Sequence, residues 1–163
     1  MIKTAILTIS DKGSRGERID GTGPAIRNVL EESGFTISYY KMIPDEKDEI
    51  ESELIYLCDE LKVNLVLTNG GTGFSERDVT PEATLNVIEK SVPGIGEAMR
   101  MKSLAITPKA MLSRSIAGIR KKTLIINLPG SPKAAVENLG FILPAIPHGI
   151  AILIGEASEC ATK

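Results

Sequence analysis

Short apolar runs alternate with longer amphipathic stretches along the chain. Lys3–Ile9 is an apolar run suited to a buried parallel strand, and it stops at Ser10-Asp11. Residues 12–21 are polar and glycine-rich and are expected to form a mobile flap. Pro24, Ile26, Val29 and Leu30 then outline a short amphipathic helix that Gly34 stops. Residues 35–42 read as a second strand. Pro44-Asp45-Glu46 leads into a helix with Asp45 as its natural N-cap, whose Ile50, Leu54, Leu57, Cys58 and Leu61 recur at i, i+4, i+7, i+8 and i+11. Leu65-Val66-Leu67 marks a third strand that breaks at Gly70-Gly71-Thr72-Gly73. After a charged loop, Thr80 as N-cap and Pro81 as first helical residue open a helix through Leu85, Val87 and Ile88, which Pro93-Gly94 is expected to terminate.

Residues 95–105, with Met99, Met101 and Leu104, predict another helix, broken at Thr107-Pro108. Residues 111–120, the basic pair Lys121-Lys122 and Thr123–Leu128 then suit a strand, a tight turn and a returning strand. The last strand runs into Pro129-Gly130-Ser131-Pro132, a second glycine turn followed by an N-cap and a proline at the first helical position. A helix to about Leu139 follows. Residues 142–154, with Pro144 and Pro147 near their start, are expected to form a C-terminal helix covering the sheet. This alternation predicts a single domain over residues 1–163: a three-layer α/β/α fold with a mostly parallel open sheet and one antiparallel strand. Ligands in such folds bind beyond the carboxyl ends of the strands. That rule gathers Ser10-Asp11, Pro44-Asp45, residues 70–78 and residues 127–131 on one rim, provided the strand order keeps them adjacent.

Composition narrows the classes. The chain has 163 residues, 42% of them hydrophobic, enough for one compact domain that buries roughly 70% of its unfolded surface without a staple. Lysine plus arginine number 19 against 21 acids, a formal charge of -2, so no nucleic-acid partner is expected. The N-terminal apolar run is too short for a signal peptide, and no uninterrupted apolar segment of spanning length is expected. A cytoplasmic protein without a membrane partner follows as the expectation. Cys58 and Cys160 form no CxxC or Cys/His cluster, which fits a reducing compartment and argues against zinc. Cys58 reads as a buried small hydrophobe.

The glycine loop carries the first chemical signal. Three glycines in four residues, Gly70 to Gly73, permit positive φ and let an anion approach backbone N–H groups without meeting a Cβ. The helix that follows brings its partly positive end to the same place. Asp78 lies between these features, where a carboxylate orients a donor or holds a cation. The expectation is a phosphate-rich ligand with a metal. Known nucleotide loops do not explain the stretch: the lysine of GxxxxGK(S/T) is absent, and Gly71-Thr72-Gly73 is followed by Phe74-Ser75-Glu76 rather than the remainder of GxGxxG. The one histidine, His148, falls in the apolar final helix and follows no nucleophile motif, so a structural role is expected.

The stretch Thr68 to Ala83, TNGGTGFSERDVTPEA, resembles the GGTG-x-x-x-RDVTPEA signature of the molybdenum-cofactor biosynthesis proteins, specifically the molybdopterin adenylyltransferases. Leu7-Thr8-Ile9-Ser10-Asp11 is similar to the family's first strand and SD pair, Asp20-Gly21-Thr22-Gly23-Pro24 to its D-x-S-G-P, and Pro44-Asp45-Glu46 to its PDE. Thr107-Pro108, Met111 to Ser115, and Asn127 to Pro132 follow in the family's order, so the resemblance covers nearly the whole chain. It implies transfer of AMP from ATP to the terminal phosphate of molybdopterin, with release of pyrophosphate and with magnesium as helper. It implies Asp45 and Asp78 as the catalytic acids that hold magnesium and orient the reacting phosphates. Gly70, Gly71, Thr72, Gly73, Glu82, Pro129, Gly130 and Ser131 fall to the nucleotide. Ser10, Asp11, Ser113, Arg114 and Ser115 fall to molybdopterin, where hydroxyls and a guanidinium suit a pterin phosphate. A homotrimer and a separate molybdenum-insertion protein as partner are also implied.

Thr22 stands where the family commonly has serine, and residues 12–19 follow no family pattern. Two other readings stay open. One is a noncatalytic molybdopterin-binding or scaffold protein. The other is a nucleotide pyrophosphatase, built on a similar domain in a branch that usually carries a further C-terminal domain.

Overall fold

The computed structural model describes residues 1–156. Its strands are β1 (Lys3–Ile9), β2 (Thr36–Ile43), β3 (Leu65–Asn69), β4 (Lys90–Ser91), β5 (Ala117–Arg120) and β6 (Thr123–Leu128). They pair in the order β2-β1-β3-β6-β5-β4, with β2, β1, β3 and β6 parallel and β5 antiparallel to both neighbours. The helices are α1 (Asp11–Ser14), α2 (Thr22–Glu32), α3 (Lys47–Asp59), α4 (Thr80–Val87), α5 (Pro93–Leu104), α6 (Pro132–Ile142) and α7 (Ile146–Ile154).

Side chains alternate between the faces of a strand, and the central strands bury both. Ile6, Leu65, Leu67, Leu124, Ile126 and Leu128 face a core closed by Ile26 and Leu30 of α2, Met99 of α5, Leu139 of α6 and Ile150 of α7. Ala5, Leu7, Ile9, Val66 and Ile125 face a second core, closed by Ile50, Leu54 and Leu57 of α3 and by Ala83 and Val87 of α4. The outcome is the expected three-layer arrangement. Asn127 secures its centre: buried in β6, its amide donates to the hydroxyls of Thr68 in β3 and Thr84 in α4, both at 2.9 Å.

Several local expectations give way to longer-range contacts. Nothing in the hydrophobic pattern marks β4, whose two exposed residues are held only by pairing with β5. Pro93 therefore opens α5 rather than closing α4, because a first-turn position makes no use of the missing N–H. Leu85 is exposed. The strand expected over residues 111–120 begins only at Ala117, because Pro108–Leu112 forms a 3₁₀ turn whose N-cap Thr107 accepts from the Lys109 N–H. The polar segment 12–21 starts as helix α1, capped by the Ser10 hydroxyl, which accepts from the Gly13 N–H at 3.1 Å. Contrary to the expectation, Pro132–Ile154 is long and apolar enough to cross a membrane by length and composition, with a hydropathy of 1.4. A 3₁₀ turn at Leu143–Ala145 divides it, and Ala135, Leu139, Ile142, Ile146 and Ile150 pack onto the sheet. Cys58 is buried as expected, and burial pushes its thiol up to about 11. Cys160 lies outside the described residues.

The end of the sheet opposite the rim is closed by Arg120. Its guanidinium donates to both oxygens of Asp59 at the end of α3, at 3.0 and 2.7 Å, and to the Val87 carbonyl at the end of α4 at 3.0 Å. The hydrogen bonds from Arg120, with help from Lys121, hold the Asp59 carboxyl down at about 2. A carboxyl with a depressed folded pKa contributes stability above its unfolded value, near pH 4, and that contribution is lost as pH falls toward the folded value. Asp59→Asn should therefore lower the urea midpoint at about pH 7, with the gap to wild type shrinking below about pH 4. Equal midpoints at neutral pH would count against the assigned bridge.

Candidate active site

The parallel strands β2, β1, β3 and β6 are neighbours, so their carboxyl ends bring Asp45, Ser10, Gly70 and Gly130 to one rim. Gly70 has φ +99, and a Cβ there would overlap the carbonyl oxygen of Ile9. Gly130 lies so close that its own absent Cβ would stand 3.2 Å from the Gly70 Cα. A cavity of about 590 Å³ opens above these turns. Of the expected residues, Ser10, Asp45, Gly70, Gly71, Asp78, Gly130 and Ser131 line it, joined by Thr8, Arg18, Ile19, Asp20, Thr22 and Asn69. Ser131 also caps α6, accepting from the Ala134 N–H at 3.3 Å.

Asp45 does not cap α3 as expected. Glu46 occupies that position without a side-chain cap, while the Asp45 carboxylate accepts from the Asp11 N–H at 2.8 Å and the Asp11 carboxylate accepts from the Asp45 N–H at 3.0 Å. This reciprocal pair joins the ends of β1 and β2. Burial pushes the Asp45 carboxyl above the ordinary aspartate range, and the Asp11 and Asp78 charges push the same way. Asp11 is held low, chiefly by hydrogen bonds from Arg77 at 3.0 and 2.9 Å. Arg77 also donates to Glu46 at 2.6 Å. It thereby ties the loop to two strand ends. Asp78 accepts from the Ser75 N–H at 3.0 Å and faces the same cavity as Asp45.

Thr80 likewise differs from its expected role. Val79 takes the N-cap position, the Thr80 N–H donates to the Gly71 carbonyl at 3.1 Å, and the buried Thr80 hydroxyl has no partner among the described residues. Gly71, at φ +65, leaves open the space beside that hydroxyl; a Cβ would overlap it and stand 3.1 Å from Asp45 Oδ1. No group of three or more His, Cys, Asp or Glu that could hold a metal occurs among the described residues. Two carboxylates beside a glycine gap and an unpartnered hydroxyl are hard oxygen donors. They fit Mg²⁺, which is commonly held by one or two carboxylates together with substrate phosphates and water.

A second cavity, of about 290 Å³, is lined by Thr72, Gly73, Ser113 and Pro129, with Met99, Arg100, Ile106, Lys109, Glu137 and Asn138. Consecutive residues thus serve different cavities: Gly71 and Gly130 the larger, Thr72 and Pro129 the smaller. Ser10 and Ser113, expected on one side, are separated by this division. Arg114, expected at the pterin phosphate, is engaged by protein acceptors. Its guanidinium donates to the Gly73 carbonyl at 2.7 Å, to the Asp78 carbonyl at 2.6 Å and to Glu82. The planar fork finds three acceptors in the folded loop and braces it; Glu82 belongs to that brace. Ser115 is buried beneath, accepting from the Ser113 hydroxyl at 3.0 Å.

Sequence reasoning missed Asp20 as part of the site. Its carboxylate accepts from the hydroxyls of Thr8 at 2.6 Å and Tyr40 at 2.5 Å, and from the N–H groups of Thr22 at 2.8 Å and Gly23 at 2.9 Å. Asn69 extends the network by donating to Thr8 at 3.0 Å, and the Thr22 hydroxyl donates to the Gly130 carbonyl at 2.7 Å. The available signal was an acid two residues before a helix start, an arrangement that caps first-turn N–H groups. His148 is exposed on α7 and lines neither cavity.

Residues 5–148 match the family described as the probable molybdopterin binding domain. A molybdopterin adenylyltransferase of Helicobacter pylori is 48% identical over 166 residues, covering 99% of this chain and 93% of that protein. Another from Escherichia coli K12 is 44% identical over 156 residues, covering 91% and 80% respectively. Among solved structures, the molybdopterin biosynthesis enzyme MoaB of Thermus thermophilus superposes with a TM-score of 0.91 at 49% identity, over 95% of this chain and 98% of that one. With the match spanning most of its length, the chain belongs to the family described as the probable molybdopterin binding domain.

Proposed function

We propose that this protein is a molybdopterin adenylyltransferase that joins AMP from ATP to the terminal phosphate of molybdopterin and releases pyrophosphate. The observation that carries this reading is the divided site, in which two cavities share one glycine loop and the larger holds Asp45 and Asp78. Two substrates housed on either side of that loop would meet with their phosphates against the N–H groups of Gly70, Gly71, Thr72 and Gly73. An oxygen of the molybdopterin phosphate would attack the α-phosphorus while the bond to pyrophosphate breaks. That nucleophile carries about -1.5 to -2 charge near neutral pH and needs little help from a base. Asp45 and Asp78 would hold Mg²⁺, which neutralises the pyrophosphate leaving group. Arg77 and Arg114 keep the loop in shape from its two sides, and Ser10 and Ser113 offer hydroxyls to the separate cavities.

The same reading includes a cytoplasmic homotrimer that delivers its product to a separate molybdenum-insertion protein. The apolar side chains Met101, Leu104, Ile106 and Met111, exposed on α5 and the turn after it, supply a face for association.

Incubation with ATP, magnesium and molybdopterin should give adenylylated molybdopterin and pyrophosphate. Tight pterin binding without product would replace the enzyme by a binding protein, and release of phosphates from nucleotides without pterin would favour a hydrolase. Asp78→Ala should lower the adenylylation rate by about 100-fold or more with the fold intact; a rate within a few-fold of wild type would remove Asp78 from the mechanism.

Asp45→Asn should separate activity from stability. Because the folded environment raises the Asp45 pKa, ionisation at neutral pH works against the folded state. The variant should therefore lose product formation while its melting temperature equals or exceeds that of wild type; a lower melting temperature would contradict this. Magnesium affinity, followed by calorimetry, should fall as acidification protonates Asp45, in a step above the ordinary aspartate range. Asp45→Asn should abolish that step.

A further inference from the structure

The charged side chains lining the larger cavity are unbalanced. Asp20, Asp45 and Asp78 are acidic, and Arg18 alone is basic. A phosphate-bearing ligand entering this cavity meets repulsion that one small cation only partly offsets, so a protein cation within reach matters. Most arginines near the rim are already engaged. Arg77 serves Asp11 and Glu46, Arg114 serves the loop carbonyls and Glu82, and Arg15 pairs with Glu17 at 2.8 Å. Arg18 is exposed and makes no hydrogen bond or ion pair through its side chain among the described residues.

Its freedom has a structural reason. The nearest acid along the chain, Asp20, already accepts from four donors, about the full capacity of a carboxylate. Those bonds also fix the backbone two residues beyond Arg18, so its side chain extends from an anchored base beside the cavity. Between them stands Ile19, 93% exposed while lining the same cavity. An isoleucine held in solvent at the mouth of a cavity gains from covering a ligand there.

We propose that Arg18 is a substrate-binding residue of this site, its guanidinium taking the non-bridging oxygens of a substrate phosphate while Ile19 closes over the ligand. The proposal rests on the nucleotidyl-transfer reading for the identity of the ligand, which is either the polyphosphate of the nucleotide or the phosphate of the pterin. Both offer pairs of phosphate oxygens that the planar guanidinium can take bidentately and a lysine ammonium cannot.

Calorimetric titration of wild type, Arg18→Ala and Arg18→Lys with pyrophosphate, magnesium ATP and molybdopterin tests this directly. Arg18→Ala should weaken binding of at least one probe by about 10-fold, and Arg18→Lys should recover part of the loss. The melting temperature of both variants should match wild type, because no protein contact is removed. Loss confined to pyrophosphate and ATP identifies the nucleotide as the partner; loss confined to molybdopterin identifies the pterin phosphate. Affinities within twofold of wild type for all three probes overturn the proposal. If wild type binds the probes but forms no adenylylated product, the functional reading fails while the affinities still decide the role of Arg18. If wild type binds none of them, both fall.

Discussion

Gly70 stands where β3 leaves the sheet, and the absence of its side chain determines how closely three strand ends can meet. With any Cβ in that position the β3 turn would collide with the Ile9 carbonyl, a backbone group held in the paired strand β1. Gly130 rests on Gly70 from the β6 side. The two turns therefore touch backbone to backbone, and the residues after each one divide between two cavities. Left-handed φ values at both Gly70 and Gly71 then fold the loop back until Thr80 reaches the Gly71 carbonyl. The placement of Asp78 near Asp45 follows from that return path.

Charge is distributed around the loop with a clear asymmetry. Its bracing arginines are consumed by protein acceptors, Arg77 on the solvent side and Arg114 beneath. Among the acids that face the cavity Asp20 is fully satisfied, whereas Asp45 is partly buried near two other carboxylates, and Thr80 beside it contributes a hydroxyl without a partner among the described residues. Such an arrangement opposes folding locally, a trade consistent with the proposed binding of a cation together with anionic groups.

Strand β1 has the bounds its sequence announces, because a strand covered on both faces must be apolar throughout. The gathering of the rim segments was also legible, since the observed strand order keeps those four ends adjacent. The failures are contacts between distant residues. Asp45 satisfies the local rule for an N-cap, yet it pairs with Asp11, 34 residues earlier. The bond from Arg114 Nε–H to the Gly73 carbonyl, 41 residues away, likewise follows from no local pattern. Strand β4 escapes periodicity altogether, because two exposed residues held by backbone pairing carry no hydrophobic signal. Asp20 was visible as a motif, while its bond to Tyr40 depends on β2 lying beside β1.

The position of β6 gives the site an order of assembly in time. β6 enters the middle of the sheet, between β3 and β5, although it follows both in sequence. During synthesis Ser10, Asp45 and Gly70 emerge well before Gly130, so the rim stays open on one side until that late strand docks. A ligand held across the rim would be linked to closure of the sheet centre, and its occupancy would oppose withdrawal of β6. A substrate bound there would act as a clasp between the early strands and the late one.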